Sequence, residues 1–250
     1  MLKVSIITIT YNSELTLIET IDSVLLQTYP NIEYIIVDGH SNDSSISIIH
    51  SYKDKISKFV SEKDRGLYDA LNKGISLATG DIIGVLHSDD FYTSSKVIEN
   101  VVQTFMTHQA DAVYADLFYV DKKDTDKIIR HWKSGHYKHG MFMHGWMPPH
   151  PTFFVKKHIY EKYGHFNLDL VSAADYELML RFVHKHQIKL AYLPEFIIKM
   201  RVGGKSNLSL KNRIHANNED RKAWKINGLK PYFYTTYLKP LRKIIQLFKR

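Results

Sequence analysis

Two hydrophobic periods alternate along the first half of the chain. Residues 4–10 form a near-continuous apolar run, the pattern of a strand buried on both faces. In residues 14–27, Leu17, Ile21, Val24 and Leu25 recur at helical spacing. Ser13 is placed to cap that helix, and Pro30 follows its end. The alternation repeats as strand 32–37 and helix 43–52, strand 56–60 and helix 67–78, then strand 82–86 and helix 94–107. Residues 112–115 open a fifth strand. Such alternation predicts an α/β fold, a mostly parallel sheet flanked by helices on both faces.

The pattern changes in the second half. Residues 117–132 read as a hairpin around 122–126, and 133–151 as an irregular segment rich in Gly, His, Met, Pro and aromatics. A short strand (152–155), a short helix (156–163), a clear helix (174–186) and a strand (189–193) follow. Residues 207–227 are helical and polar. There is no internal repeat.

Composition narrows the function classes. With 250 residues the chain can bury one sizeable core or one domain with an appendage. It has no cysteine, hence no disulfide framework and no thiolate metal site. The N-terminus enters a strand without a signal-peptide pattern, and no apolar run reaches membrane-span length. The net charge of +8 is unevenly spread: residues 221–250 hold nine Lys or Arg and no acid, leaving 25 basic and 26 acidic residues elsewhere. Nucleic-acid binding, which favours a basic stripe on the folded face, is not expected.

Polar and acidic groups follow each early strand. Thr8, Thr10, Tyr11 and Asn12 come with the first, and Asp38 with the second. Glu62, Asp64 and Arg65 follow the third, and His87-Ser88-Asp89-Asp90 the fourth. In a parallel sheet these ends converge on one rim, where open α/β sheets bind ligands. Turn chemistry alone explains any one of these groups, but poorly explains all four. Two adjacent carboxylates there repel one another, and a hard divalent cation shared with a diphosphate would compensate them.

The segments Val4-Ser5-Ile6-Ile7-Thr8-Ile9-Thr10-Tyr11-Asn12, Val37-Asp38-Gly39, Asp64-Arg65-Gly66-Leu67-Tyr68-Asp69-Ala70-Leu71-Asn72-Lys73-Gly74, Ala78-Thr79-Gly80-Asp81 and Ser88-Asp89-Asp90 carry a resemblance. With Pro149-His150-Pro151-Thr152-Phe153-Phe154 and Ala174-Asp175-Tyr176-Glu177-Leu178, they resemble inverting family-2 glycosyltransferases of GT-A fold. The similarity is to bacterial enzymes of O-antigen, capsule and exopolysaccharide assembly, and spans roughly residues 3–202.

That resemblance implies a GT-A (Rossmann-like) domain over 1–205, with a donor half of about 1–116 and an acceptor half of about 117–205. A helical extension over 206–250 follows. Thr8, Tyr11, Asn12 and Asp38 would hold the nucleoside, and Asp64 and Arg65 would lie along the nucleotide-sugar. Asp89 would contact ribose or sugar, and Asp90 a Mn²⁺ or Mg²⁺ ion on the diphosphate, with His150 as a further metal or diphosphate contact. Asp175 would be the catalytic base, against the alternative of a helix N-cap. Ala174 stands where many relatives have Glu, leaving Asp175 the sole acid at that step. His150, Trp146 and Tyr176 would meet the acceptor. His136, His139 and His144 lack a zinc spacing.

The tail adds a partner. Residues 238–250 read as an amphipathic helix with Leu241, Ile244, Ile245 and Phe248 on one side and Arg242 and Lys243 on the other. Tyr232, Phe233, Tyr234 and Tyr237 precede it. This predicts docking on an anionic membrane surface, peripheral on the cytoplasmic face. The resulting expectation is a non-processive hexosyl- or N-acetylhexosaminyltransferase. It would use a nucleotide-sugar, UDP-linked in the first instance, and a saccharide acceptor on a lipid diphosphate carrier. Two alternatives are weighed against it. A sugar nucleotidyltransferase would want a Gly-rich basic loop where Thr10-Tyr11-Asn12-Ser13-Glu14 stands. A non-catalytic, membrane-docking nucleotide-binding or scaffold protein would tolerate loss of Asp90 and Asp175. Neither a P-loop nor a G-x-G-x-x-G fingerprint is present.

Overall fold

The computed structural model describes residues 1–203 and 210–239. The first four strands are β1 (Val4–Thr10), β2 (Ile32–Asp38), β3 (Lys58–Ser61) and β4 (Ile82–Val85). They pair in parallel in the order β3-β2-β1-β4. Helices α1 (Leu17–Leu25), α2 (Ser45–Ser51) and α3 (Leu67–Leu77) connect them. Because β1, β2 and β4 are covered on both faces, alternate residues enter different cores. Ile7, Ile9, Ile35 and Val37 join one; Val4, Ile6, Tyr34 and Ile36 join the other. This two-sided burial is why the strands read as continuous apolar runs.

Beyond β4 the order continues β8 (Phe154–Lys156), β6 (Ala112–Val120), β9 (Leu190–Arg201) and β5 (Asp90–Tyr92). β8 runs antiparallel to both β4 and β6, while β6 and β9 are parallel. The parallel strands β1 to β4 and the parallel pair β6 and β9 are thus joined through one reversed strand near the middle of the sheet. The register between β6 and β9 shifts on both sides of Asp116. Past that irregularity, β5 and β7 (Ile128–Trp132) add antiparallel pairings, and the sheet curls as bulges make sheets do. Helices α4 (Val97–His108), α5 (Lys157–Tyr163), α6 (Ala174–Met179) and α7 (Leu210–Ile226) complete the fold. Ala223 and Trp224 of α7 are fully buried in the first core.

Several boundaries differ from the sequence reading. α1 starts later, and Ser13 caps nothing with its side chain: its carbonyl accepts the Thr16 and Leu17 amides, and its hydroxyl meets Ser88 at 2.8 Å. β9 runs far beyond 193 because Pro194 and Glu195 fall in the register shift, where a residue without an N–H costs no ladder bond. The expected helix 174–186 is α6 followed by a π turn, Leu180–Lys185. The expected amphipathic helix, with Leu241, Arg242, Lys243, Ile244, Ile245 and Phe248, lies outside the described residues. Among the described residues no helix is long and apolar enough to cross a membrane.

One polar cluster ties the parallel strands together. Glu33 on β2 is buried yet accepts hydrogen bonds from Ser5, Lys3 and both the amide and hydroxyl of Thr79, with Lys58 3.2 Å away. Burial opposes its charge, but the bonds from Ser5, Thr79 and Lys3 outweigh it and hold the carboxyl well below the usual range.

Candidate functional site

Parallel register brings Thr10, Asp38 and Ser61 into one row at the strand ends. Asp38 is buried and held by the Ser41 amide (3.0 Å), the Ser41 hydroxyl and the Ser61 hydroxyl (2.7 Å). Thr10 presents a buried hydroxyl with no hydrogen-bond partner among the described residues. Thr8, two residues deeper, is wholly buried and accepts the Tyr34 hydroxyl at 3.1 Å. This corrects the expectation for Thr8: two residues of strand put it about 6.6 Å below the rim, and Thr10 takes its place there.

The loops after β1, β2 and β3 meet. Asn12 adopts a left-handed conformation at φ 51° and links the first two: its amide donates to Ser41 and its side-chain oxygen accepts from Asn42. Gly39 is squeezed beside Asp64 and Tyr11, so a Cβ there would sit 2.8 Å from the Asp64 carboxylate. Tyr11 is 55% exposed over this junction. Asp64 accepts the amide of Gly66 at 2.9 Å; Gly66 lies at φ +119°, which only glycine adopts readily, and launches α3. Arg65 is exposed and reaches Asp69 at 3.3 Å.

The end of β4 is strapped to the β1–α1 loop, since Thr16 and Ser13 bond the carbonyl and hydroxyl of Ser88. Asp89 is half-buried, and its carbonyl accepts Arg201 at 2.6 Å. Arg201 also pairs with Glu19 on α1. Asp90 is not in a loop, as read from sequence, but is the first residue of β5, and it is 1% exposed. Neither carboxylate oxygen has a hydrogen-bond partner among the described residues. Burial, and then the charge of Asp89, push its carboxyl well above the ordinary value, against the pull of Arg201. A buried, unsatisfied hard-oxygen donor is the environment a divalent cation would relieve, so the residue fits that role. No three His, Cys, Asp or Glu side chains converge as a closed metal cage among the described residues. Asp90 could therefore supply one protein ligand to an ion that takes others from a diphosphate.

Asp175 is the second residue of α6 and makes no cap; the capping position is Ala173. Its carboxylate instead accepts the Tyr68 hydroxyl at 3.1 Å. His150 and His87 stand nearby with ring centroids 6.0 Å apart, and His150 packs edge-on to Phe166 at 5.5 Å. Burial lowers His150 to about 4, opposed by the charge of Asp175, so its imidazole is neutral near pH 7. Burial likewise lowers His87 against the charges of Asp89 and Asp175. Asp175 thus acts on both histidines, and Asp89 on His87, linking the two acidic clusters across one site.

Two expected acceptor contacts are corrected. Trp146 is buried in the first core and donates its indole N–H to the Ser134 carbonyl. Tyr176 is buried in the same core, its hydroxyl accepting Trp224 at 2.9 Å. Neither presents a surface to ligand, because each ring is in the core and each polar tip has an internal partner. His136 packs on Tyr192, His139 on His184, and His144 on Tyr232 and Tyr234. Tyr68, His87 and Arg201 emerge as site residues to which the sequence attached no role. Tyr68 was inside a recognised motif, whereas Arg201 becomes visible only once β9 is extended.

Comparison with known proteins agrees with this architecture. The model for glycosyl transferase family 2 matches residues 5–166. An uncharacterized glycosyltransferase of Mycobacterium tuberculosis is 31% identical over 189 residues, covering 71% of this chain and 68% of that protein. The Escherichia coli UDP-Glc:alpha-D-GlcNAc-diphosphoundecaprenol beta-1,3-glucosyltransferase WfaP is 36% identical over 122 residues, 48% of this chain and 47% of WfaP. Among solved structures, S. aureus TarS 1–349 in complex with UDP-GlcNAc has a TM-score of 0.69 at 16% identity, over 90% of this chain and 65% of that one. The mannosyltransferase PcManGT of Pyrobaculum calidifontis, in complex with GDP-Man and Mn²⁺, has a TM-score of 0.63 at 17% identity, covering 99% and 81%. These structural likenesses establish the GT-A fold. From the extent of the family match and the M. tuberculosis relative, the chain belongs to glycosyl transferase family 2.

Proposed function

We propose that this protein is a non-processive inverting glycosyltransferase. It moves one sugar from a nucleotide-sugar, UDP-linked in the first instance, to a saccharide on a lipid diphosphate in surface polysaccharide assembly. The observation that carries this reading is the buried, unpartnered carboxylate of Asp90, next to Asp89, together with the side-chain-engaged Asp175, since Asp89 and Asp175 both act on His87. WfaP supports the donor and the lipid-linked acceptor through its name, and TarS supports UDP-sugars through its bound ligand.

In this reading Tyr11, Asn12, Asp38, Thr10, Asp64 and Arg65 form the nucleoside side, and Asp89 meets ribose or sugar. Asp175 takes the proton of the acceptor hydroxyl as its oxygen attacks the anomeric carbon from the side opposite the leaving nucleoside diphosphate, which inverts that centre. A Mn²⁺ or Mg²⁺ held by Asp90 with the diphosphate, with His150 as a further neutral donor, would supply charge neutralisation to the leaving group; PcManGT with Mn²⁺ supports a divalent ion. Residues 1–116 would form the donor half and 117–205 the acceptor half. The chain would sit peripherally on the cytoplasmic face of an anionic membrane, held by its basic aromatic C-terminal region.

The test is a panel of UDP-, GDP- and dTDP-sugars with and without Mn²⁺, read by thermal stabilisation and slow nucleotide release. One nucleotide class stabilising only with metal, and losing the effect in Asp90→Ala, is expected. No response to any nucleotide would sink the donor site and leave a membrane-docking scaffold that binds no nucleotide.

A further inference from the structure

We propose that Tyr68 is a positioning residue for Asp175, and that α3 joins the donor-side loop and the base into one rigid unit. The inference rests on Asp175 being the base. Asp175 needs one carboxylate oxygen aimed at the acceptor hydroxyl, yet it sits in the first turn of a helix without a cap to fix its side chain. Tyr68 provides the restraint by donating to Oδ1 at 3.1 Å, leaving Oδ2 for the proton. Burial, and then the charge of Asp175, raise the phenol well above its ordinary pKa, so it stays a donor.

Tyr68 is itself fixed. Its ring is buried and stacks on Phe166 at 5.5 Å and 24°. Phe166 is in turn held by Asn72, whose amide donates to the Phe166 carbonyl and whose oxygen accepts the Phe166 N–H, both at 2.9 Å. Asn72 lies four residues after Tyr68, on the same helix face. The backbone leading to Asp175 is pinned from the other side, because Glu219 on α7 accepts the amides of Val171 and Ser172 at 2.9 and 2.6 Å. The helix that carries Tyr68 and Asn72 starts from the Asp64–Gly66 turn, whose geometry is set by the Asp64-to-Gly66 bond and by the Arg65 amide donating to Asp69 at 3.0 Å. The donor loop and the clamp on the base therefore share one helix. This explains why the whole run from Asp64 to Gly74, and not its charged residues alone, belongs to the site.

The experiment uses full-length Tyr68→Phe, Asp175→Ala (which leaves no acceptor oxygen) and their double variant for the first of two arms, and Tyr68→Phe with Asp175→Asn for the second. In the first, unfolding constants from urea melts form a double-mutant cycle that needs no substrate. A coupling of about tenfold between the two positions is expected for a hydrogen bond to a carboxylate, and strict additivity overturns the clasp. In the second, turnover is followed with UDP-Glc, or whichever panel member stabilises the protein, and a GlcNAc-diphospholipid acceptor. Tyr68→Phe should lower kcat about ten- to hundredfold with donor KM unchanged, because the ring and its stack remain. Normal kcat in Tyr68→Phe, with Asp175→Asn inactive, overturns the positioning role. If Asp175→Asn retains turnover, the base assignment fails instead, and the cycle still decides whether the clasp exists.

Discussion

Replacing Asp90 by Asn should make the ligand-free protein more stable while removing its response to metal and nucleotide. The carboxylate is 1% exposed, neither oxygen is hydrogen-bonded among the described residues, and Asp89 adds a like charge beside it. With its pKa pushed well above the ordinary value, the carboxyl costs free energy near neutral pH whether it stays charged or takes up a proton, a cost that an amide of the same shape escapes even though it also lacks partners there. Removing the charge should gain about 1–3 kcal/mol near neutral pH, the scale of one unsatisfied buried group. For a chain of this length that corresponds to a rise in Tm of about 2–10 °C. Calorimetric scans in EDTA would measure it. With Mn²⁺ and UDP at about a hundred times Kd, the wild type should gain about 2.7 kcal/mol and the variant almost nothing, so the order of the two melting temperatures reverses or closes. A variant less stable than wild type in EDTA, or equally stabilised by Mn²⁺ and UDP, would refute the reasoning.

Two further outcomes follow from charge and exposure. Glu33→Gln should cost stability at pH 7, because Glu33 is held far below its unfolded pKa by Ser5, Thr79 and Lys3. A depressed carboxyl stabilises above the unfolded pKa and loses that contribution as pH falls. The wild type's lead in urea melts should therefore be constant above about pH 5.5 and shrink by about 1.4 kcal/mol per pH unit below about pH 4.3; a lead at pH 3 undiminished from its value at pH 6 contradicts the network. Phe233 is 88% exposed, and Tyr232 and Tyr237 are 50% and 55% exposed, in a segment without acidic residues. Phe233→Ser with Tyr237→Ser should weaken sedimentation with phosphatidylglycerol vesicles by about tenfold or more, the scale of losing buried aromatic area, and unchanged binding would remove this segment from the docking surface.

The early strands and helices were legible because two-sided burial writes itself into the sequence as unbroken apolar runs, and the helices between as a stripe of period 3.6. β5 was not, since three residues starting with Asp90 carry no period. β9 was cut short at Pro194 because a proline inside a strand normally argues for its end, and only the bulge beside Asp116 makes it harmless. The acidic rim was legible by position. Its depth was not: Thr8 and Thr10 share a face and a residue type, and only the strand's end separates a core hydroxyl from a site hydroxyl. Trp146 and Tyr176 carried polar tips that suited a ligand equally well, and their real partners, the Ser134 carbonyl and Trp224, lie 12 and 48 residues away. The Tyr68–Asp175 bond spans 107 residues, beyond the reach of any local pattern.

The reversed strand β8 governs how this molecule can be assembled and divided. β4 and β6 do not touch as sheet neighbours; each pairs with β8. Ile83 must wait for Val155, roughly 70 residues later, and the entropy of closing so long a loop is met before any ladder bond forms. Strands β1 to β4 can be stitched together as the chain emerges, but their open edge is sealed only when β8 arrives. A chain ended before residue 154 would leave β4 and β6 without β8, and β6 and β5 without β9, each open edge a template for intermolecular pairing. The high sequence separation also predicts slow final docking. The frame that holds the rim carboxylates and the one that holds Asp175 are therefore closed in the same late event, so fragments split between β4 and β8 should not work separately.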